Sequence, residues 1–248
     1  MNQNNTNDCP PGTGELELTP DRILYEDNHL IIVNKRPKEP VQADVSGDKS
    51  LQDMVRDYIR VVKQKPGNVF CGLVHRIDRP VSGAVILTKT SKALSRMIQI
   101  VKDRNIDKIY WAIVEGCPEP MEGKLVNYLI KNEAKNRTTV YDDEHEGCQR
   151  AELDYQVLVK TERYSLVEVK LMTGRHHQIR AQLSHIGCPI KGDLKYGARR
   201  SNEDGSICLH ARRLRFEHPV SHIIVDVEAP PFNPLFDKIL HQEDLEEK

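Results

Sequence analysis

No stretch of this 248-residue chain approaches the ~20 uninterrupted apolar positions that a membrane-spanning helix needs, so no membrane partner is expected. The opening MNQNNTNDCPPGTGE lacks a basic start followed by an apolar run. That excludes a secretory signal and makes the cytoplasm the expected location. The six cysteines (Cys9, Cys71, Cys117, Cys148, Cys188 and Cys208) are scattered, with no C-x-x-C pair. Metal-ligand spacing is therefore missing, no metal is expected, and the thiols read as reduced, mostly small core residues. A nucleotide-binding glycine motif is also missing, as is any internal repeat. Nor does charge of one sign dominate: 36 Lys and Arg face 37 Asp and Glu, for a formal net charge of -1. By itself that balance argues against a nucleic-acid binder.

What is present is a globular profile, 38% hydrophobic and 29% charged, in a length suited to one large domain. The charge is unevenly placed. Between Lys170 and Phe216 ten Lys and Arg stand against three Asp and Glu, while the chain closes on the acidic QEDLEEK. A basic segment within a near-neutral chain builds either a local phosphate-binding face or a plain solvated surface, and charge alone does not separate the two.

Residues 1–20, rich in Asn, Gly and Pro, read as a disordered tail, residues 21–240 as the folded unit, and residues 241–248 as an acidic tail. RILYEDNHLIIVNKR has the form of two short strands around Asp27 and Asn28. Ser50 opens a helix whose Leu51, Met54, Val55, Tyr58, Ile59 and Val62 form one apolar face, with Asp53 placed as in a capping box. Ser91 opens a second helix. KIYWAIVEG alternates like a strand, and residues 123–150 are polar without a clear period. RHHQIRAQLSHIG reads as a helix ending at Gly187, LHARRLRF and HIIVDVEAP as closing strands, and FDKILHQ as a last short helix. Strands and helices mix without strict alternation. The expected fold class is α+β, a single domain with a mixed, largely antiparallel central sheet flanked by helices.

Three segments concentrate polar chemistry. In HRIDRPVSG, Asp78 lies between Arg76 and Arg79 at a strand end. A carboxylate beside cations stays ionised and can serve as nucleophile or base; an ordinary Asp–Arg ion pair at a turn has the same spacing. In TGRHHQIRAQLSHIG, a helix puts His176 and Arg180 on one face, with Arg175 and both histidines near its start, where phosphate binds well. A solvated basic face is the plain alternative. In KIYWAIVEG, Tyr110 and Trp111 point to opposite sides of a strand, so one packs in the core and the other is available to stack on a base.

HRIDRPVSGAVILTKTSKA strongly resembles the signature of the RluA-type pseudouridine synthases, H-R-L-D-x-x-T-S-G followed by an apolar run and Lys-Thr. ILYEDNHLIIVNKRP, KIYWAIVEG, and TGRHHQIRAQLSHIGCPIKGDLKYG with LHARRLRFEHP resemble further family segments in the same order. The resemblance implies that Asp78 is the catalytic carboxylate. It implies that Arg76 helps move the target nucleotide out of its stack, that Tyr110 packs on the target base, and that Arg180 pairs with Asp78. The expected RNA and target-base set also includes Arg79, Arg175, His176 and Leu209. Ile77, Val81 and Gln182 depart from the usual Leu, Thr and His.

The implied reaction converts uridine to pseudouridine in structured ribosomal or transfer RNA. It has no net redox change and needs no cofactor. A monomer is expected. About twenty residues precede the first strand, too few for a separate RNA-binding module, so the catalytic domain is expected to read the RNA mostly by itself. Two other readings stay open: a non-catalytic RNA-binding or folding factor on the same scaffold, and a hydrolase pairing Asp78 with a histidine such as His75.

Overall fold

The computed structural model describes residues 17–64 and 67–241. The tail expected over residues 1–16, with Cys9, and the acidic residues 242–248 lie outside the described residues. Leu18 is already fully buried, so the folded part begins ahead of residue 21.

Strands β1 (Ile23–Glu26) and β2 (Leu30–Lys35) form the expected antiparallel pair. Their turn is set by Asp27, whose Oδ1 accepts the backbone N–H groups of His29 and Leu30 at 2.8 and 2.7 Å. Helix α1 (Leu51–Val62) starts at Ser50, whose hydroxyl accepts the Asp53 N–H, the first half of a capping box; the Asp53 carboxylate returns the contact by accepting that hydroxyl's proton and not the Ser50 backbone N–H. Its apolar face is buried as far as Ile59, but Val62 at the last turn is exposed. The chain continues through β3 (Gly72–Leu73), β4 (Ser82–Thr88), α2 (Ser91–Lys102) and β5 (Ile106–Glu115). Then come β6 (Glu122–Asn132), β7 (Arg137–Tyr141), β8 (Gln149–Lys160) and β9 (Tyr164–Leu171). Helix α3 (Gln178–His185), β10 (Leu209–Glu217), β11 (Ile224–Glu228) and α4 (Leu235–Leu240) complete it.

All described strands join one sheet in the order β1-β2-β4-β10-β5-β9-β8-β6-β7, with β3 added to β4 and β11 to β10. The β4–β10 pairing is parallel and every other described pairing antiparallel, the mixed α+β sheet that the sequence predicts. Alternate residues of β2 and β4 face two separate cores. Ile31, Val33, Val85 and Leu87 pack with α1, α3 and α4; Leu30, Ile32, Ala84 and Ile86 pack with α2 and β11. Burial on both faces explains why LIIV and AVIL are continuous apolar runs.

Two expectations need correction. Residues 123–150, without a legible period, form β6, β7 and the start of β8. Their inward positions include Asn127 and Thr138, both buried, so polar side chains break the apolar alternation. Helix α3 begins at Gln178, not Arg175, because His177 takes a left-handed backbone (φ 51°). His176 therefore precedes the helix and does not share a helical face with Arg180. Gln178 through Leu183 are all buried, which also excludes a solvated basic face for that turn. Gly187, at φ 79°, does sit just past the helix end.

The parallel β4–β10 contact anchors the loop that carries Asp78. Gly83 (φ 116°) lies so close to β10 that an added Cβ would fall 2.4 Å from the Ala211 carbonyl oxygen. Beside it, Ser82 Oγ is 2.8 Å from His210 Nδ1, and His210 Nε2 is 2.9 Å from the Ala229 carbonyl. A carbonyl only accepts, so Nε2 carries the ring proton and Nδ1 receives the Ser82 hydroxyl. Burial holds the His210 pKa down at about 4.

Two outcomes follow. Gly83→Ala forces apart two covered strands at a positive φ and should cost about 2–4 kcal/mol, read as a lowered urea midpoint. His210 is neutral when folded and titrates near its ordinary 6.5 when unfolded, so between those values the unfolded chain holds the extra proton. Its contribution to stability should fall as pH drops from about 6.5 to about 4 and level off below that; His210→Asn should remove one proton from the uptake on unfolding at pH 5.

Candidate active site

The loop between β3 and β4 presents His75, Arg76, Ile77 and Asp78 to a cleft of about 640 Å³. Ile77 is buried and pins the loop, Arg76 is exposed, and the Asp78 side chain retains 28% exposure. The backbone turns at once, with Val81 N–H donating to the Asp78 carbonyl at 3.0 Å. From beneath, the fully buried Lys35 of β2 donates from Nζ to the carbonyls of Arg36, Glu39 and Arg79 at 2.9, 2.9 and 3.1 Å. Burial lowers the Lys35 pKa to about 7, against the opposing pull of Glu39 and Asp78.

Arg180, from the first turn of α3, reaches Asp78 through Nη1 at 2.8 Å from Oδ2. Its other nitrogens grip Asp193 bidentately, Nε to Oδ2 at 2.7 Å and Nη2 to Oδ1 at 2.9 Å. The guanidinium also lies 5.1 Å from the centre of the Tyr196 ring. Burial alone would lower the Arg180 pKa, but the two carboxylates outweigh it and raise it, so the cation is permanent. Asp78 Oδ1 has no hydrogen bond or ion pair among the described residues, so one carboxylate oxygen is held and the other is open to a ligand.

Tyr110 of β5 and Leu209 of β10 line the same cleft, both buried. Burial, then the charge of Asp78, raises the phenol pKa, so Tyr110 stays a protonated ring. Trp111 points to the other side, donating to Glu168 at 3.2 Å with the Arg212 guanidinium 4.6 Å from its ring centre. Of the two aromatics, Tyr110 is the one in the cleft.

Arg175 and His176 lie on the cleft wall, each tied to backbone or hairpin: Arg175 Nε donates to the Arg150 carbonyl, and His176 contacts Thr138 Oγ1 and Asn136 Oδ1. Arg79 is the one named residue that does not line the cleft. It turns toward residues 44–48 and pairs with Asp44 and Asp48. His75 lines the cleft, but its Nε2 accepts the Ile86 N–H at 3.2 Å and burial lowers its pKa to about 3. The ring nitrogen that a hydrolase would use as a base is therefore engaged by the sheet.

The site also gathers residues that the sequence reading did not single out. Lys102, Arg104 and Lys108 join Arg76, Arg175 and Arg180 around the cleft, where Asp78 is the sole acid of the lining. Lys108 was findable, being two positions from Tyr110 on one strand face. Lys102 ends α2 and Arg104 follows it by two residues, and nothing local in the sequence aims them here. Arg76, Lys102, Arg104 and Lys108 have no side-chain hydrogen bond or ion pair among the described residues. An anionic polymer crossing the cleft would find four uncompensated cations.

The family model described as RNA pseudouridylate synthase matches residues 29–185. Ribosomal large subunit pseudouridine synthase C of Buchnera aphidicola is 34% identical over 216 residues, 84% of this chain and 67% of that protein. The enzyme of the same name from Vibrio cholerae is 33% identical over 234 residues, 90% of this chain and 70% of that protein. The chain thus spans about two thirds of the length of these relatives. Among solved structures, human RNA pseudouridylate synthase domain containing 1 superposes with a TM-score of 0.67 at 26% identity, over 88% of this chain and 86% of that one. Human RNA pseudouridylate synthase domain containing 4 shares the fold, with a TM-score of 0.74 at 24% identity, over 90% and 92%. With its matched motifs folded into one cleft around Asp78, this chain belongs to the RNA pseudouridylate synthase family.

Proposed function

We propose that the cleft isomerises uridine to pseudouridine in RNA, with Asp78 as the essential carboxylate and large-subunit ribosomal RNA as the substrate class. One observation carries this reading: a carboxylate with one oxygen held by a buried arginine and the other open, beside a buried tyrosine, under a rim of unpaired cations. The reaction breaks the bond from ribose C1′ to uracil N1, turns the base, and joins C1′ to C5; C5 gives up its proton and N1 takes one up, so the product is an isomer. An ionised Asp78 supplies the nucleophile or base, and its pairing with Arg180 keeps that charge fixed in place. Tyr110 and Leu209 pack against the displaced base. Arg76, Arg175 and His176 hold the nucleotide and its phosphates, and Arg79 acts on the RNA only by holding the loop edge against Asp44 and Asp48. Taking the base out of its stack costs a few kcal/mol, which these contacts offset.

Substrate choice follows the names of the relatives, which act on the ribosomal large subunit. No described helix is long and apolar enough to cross a membrane. We place the enzyme in the cytoplasm, acting as a monomer. The engaged Nε2 of His75 disfavours a hydrolase, and nothing in the site favours a purely RNA-binding role.

Asp78→Asn should abolish product while RNA affinity stays within about twofold, because shape and positive charge persist. Pseudouridine mapping of ribosomal RNA from cells lacking the gene, complemented with wild type or Asp78→Asn, tests activity and substrate together. Restoration of a lost site by the variant would rule out the role of Asp78. Replacing Lys102 and Arg104 together by Gln should weaken RNA binding across sequences and reduce the slope of log K against log salt by about two. An unchanged slope would remove both from the phosphate track.

A further inference from the structure

Behind Asp78 stands a buried group to which the reaction outlined above gives no part. His177 is 8% exposed and keeps a left-handed backbone (φ 51°), a conformation that a non-glycine residue adopts at a cost and that recurs at functional sites. Its ring stacks on His176 with centres 3.7 Å apart. Its Nε2 lies 3.5 Å from Asp78 Oδ2, and its Nδ1 lies 3.0 Å from the Tyr196 hydroxyl.

The tautomer follows from the partners. Tyr196 Oη accepts the buried Thr138 backbone N–H at 2.8 Å, and its own proton is directed to His177 Nδ1. Nδ1 is then an acceptor, and the ring proton sits on Nε2, facing the carboxylate. Burial keeps the imidazole neutral, with a pKa lowered to about 3 despite the opposing charge of Asp78.

The charges of the cluster give this neutral donor its use. One guanidinium serves two carboxylates, gripping Asp193 through two nitrogens and giving Asp78 a single hydrogen bond at Oδ2, so a second donor adds to the restraint on Asp78. A second cation would hold it but would also cancel the charge that the chemistry needs. A neutral N–H on the same oxygen as Arg180 restrains the group and leaves the charge intact. The contact is long in the free enzyme, as catalytic hydrogen bonds often are before substrate closes the site.

We propose that His177 is a positioning residue for the isomerisation: locked as the Nε2–H tautomer by Tyr196, it donates to Asp78 Oδ2 alongside Arg180 and so reserves Oδ1 for the substrate. This rests on Asp78 being the reacting carboxylate. The first test does not depend on activity. Long-range ¹⁵N–¹H NMR at pH 7 should show His177 protonated at Nε2 alone, and Asp78→Asn should shift that proton upfield as the charged acceptor is lost. A proton on Nδ1, or an Nε2–H resonance indifferent to Asp78→Asn, overturns the proposal even if the enzyme is active. Kinetically, His177→Gln keeps a donor near Nε2, and His177→Leu removes it. Single-turnover kcat should fall roughly threefold for Gln and roughly thirtyfold for Leu, with KM nearly constant in both. Equal losses in the two variants, or losses confined to KM, would mean that the ring is packing and not positioning. Absence of activity in the wild type with the expected NMR result would fail the functional reading and leave the geometry standing.

Discussion

A single guanidinium organises this molecule's chemistry. Arg180 is buried, and a buried cation is tolerable only when its charge and donors are matched. Asp193 matches it in a bidentate fork, and Asp78 takes the remaining nitrogen. Three distant parts of the chain must therefore meet: the loop before β4, the first turn of α3, and the turn at residues 193–196. Removing Asp193 would leave Arg180 under-compensated and free to swing. Removing Arg180 would take from both carboxylates the cation they share. The cluster is a structural constraint, and through the same bonds it sets the geometry of the carboxylate proposed to react.

The sheet delivers these parts with little slack. β2 and β4 are buried on both faces, so their register is fixed by apolar packing from two sides. The parallel β4–β10 contact, with Gly83 against Ala211 and Ser82 bound to His210, sets where the Asp78 loop leaves the sheet. Lys35 ties the same loop from below through the Arg79 carbonyl, and joins it to the segment after β2 through the carbonyls of Arg36 and Glu39. At the other end, the β6–β7 hairpin and the residue after it reach back to α3 through Asn127–Gln182 and Asp142–His185, and to the segment before α3 through Thr138–His176. Gln182, which differs from the histidine common in the family, spends its amide on that contact, away from the cleft. The departure changes a brace and leaves the reacting groups alone.

Much of this was legible in the residues themselves. The double-faced strands announce themselves as apolar runs, α1 by its cap and its periodic face, and the cleft by four ordered motifs that carry Asp78, Tyr110 and Arg180. Local chemistry writes such features, because caps, turns and periodicity act within a few residues. Other features were not legible because they depend on partners far along the chain. The polar hairpin of β6 and β7 has no apolar alternation, since its inward Asn127 is satisfied by Gln182 of α3 and its Thr138 by His176 and Tyr196. The start of α3 moved to Gln178 because His177 gives up helical geometry to reach Asp78 and Tyr196. Arg79 and Arg76 flank the same aspartate, yet one turns to Asp44 and Asp48 and the other remains at the cleft, a choice made by acids some thirty residues away.

By itself, then, the sequence determined the fold class, the strands of the centre and the family, and it singled out Asp78 as the carboxylate to propose, for these rest on patterning and on motifs that keep their chemistry in order along the chain. Only the tertiary structure decided which oxygen of Asp78 is held, which arginines face the cleft, and which lysines join them. Those outcomes turn on distances of about 3 Å between groups separated by up to a hundred residues, and no local pattern encodes them.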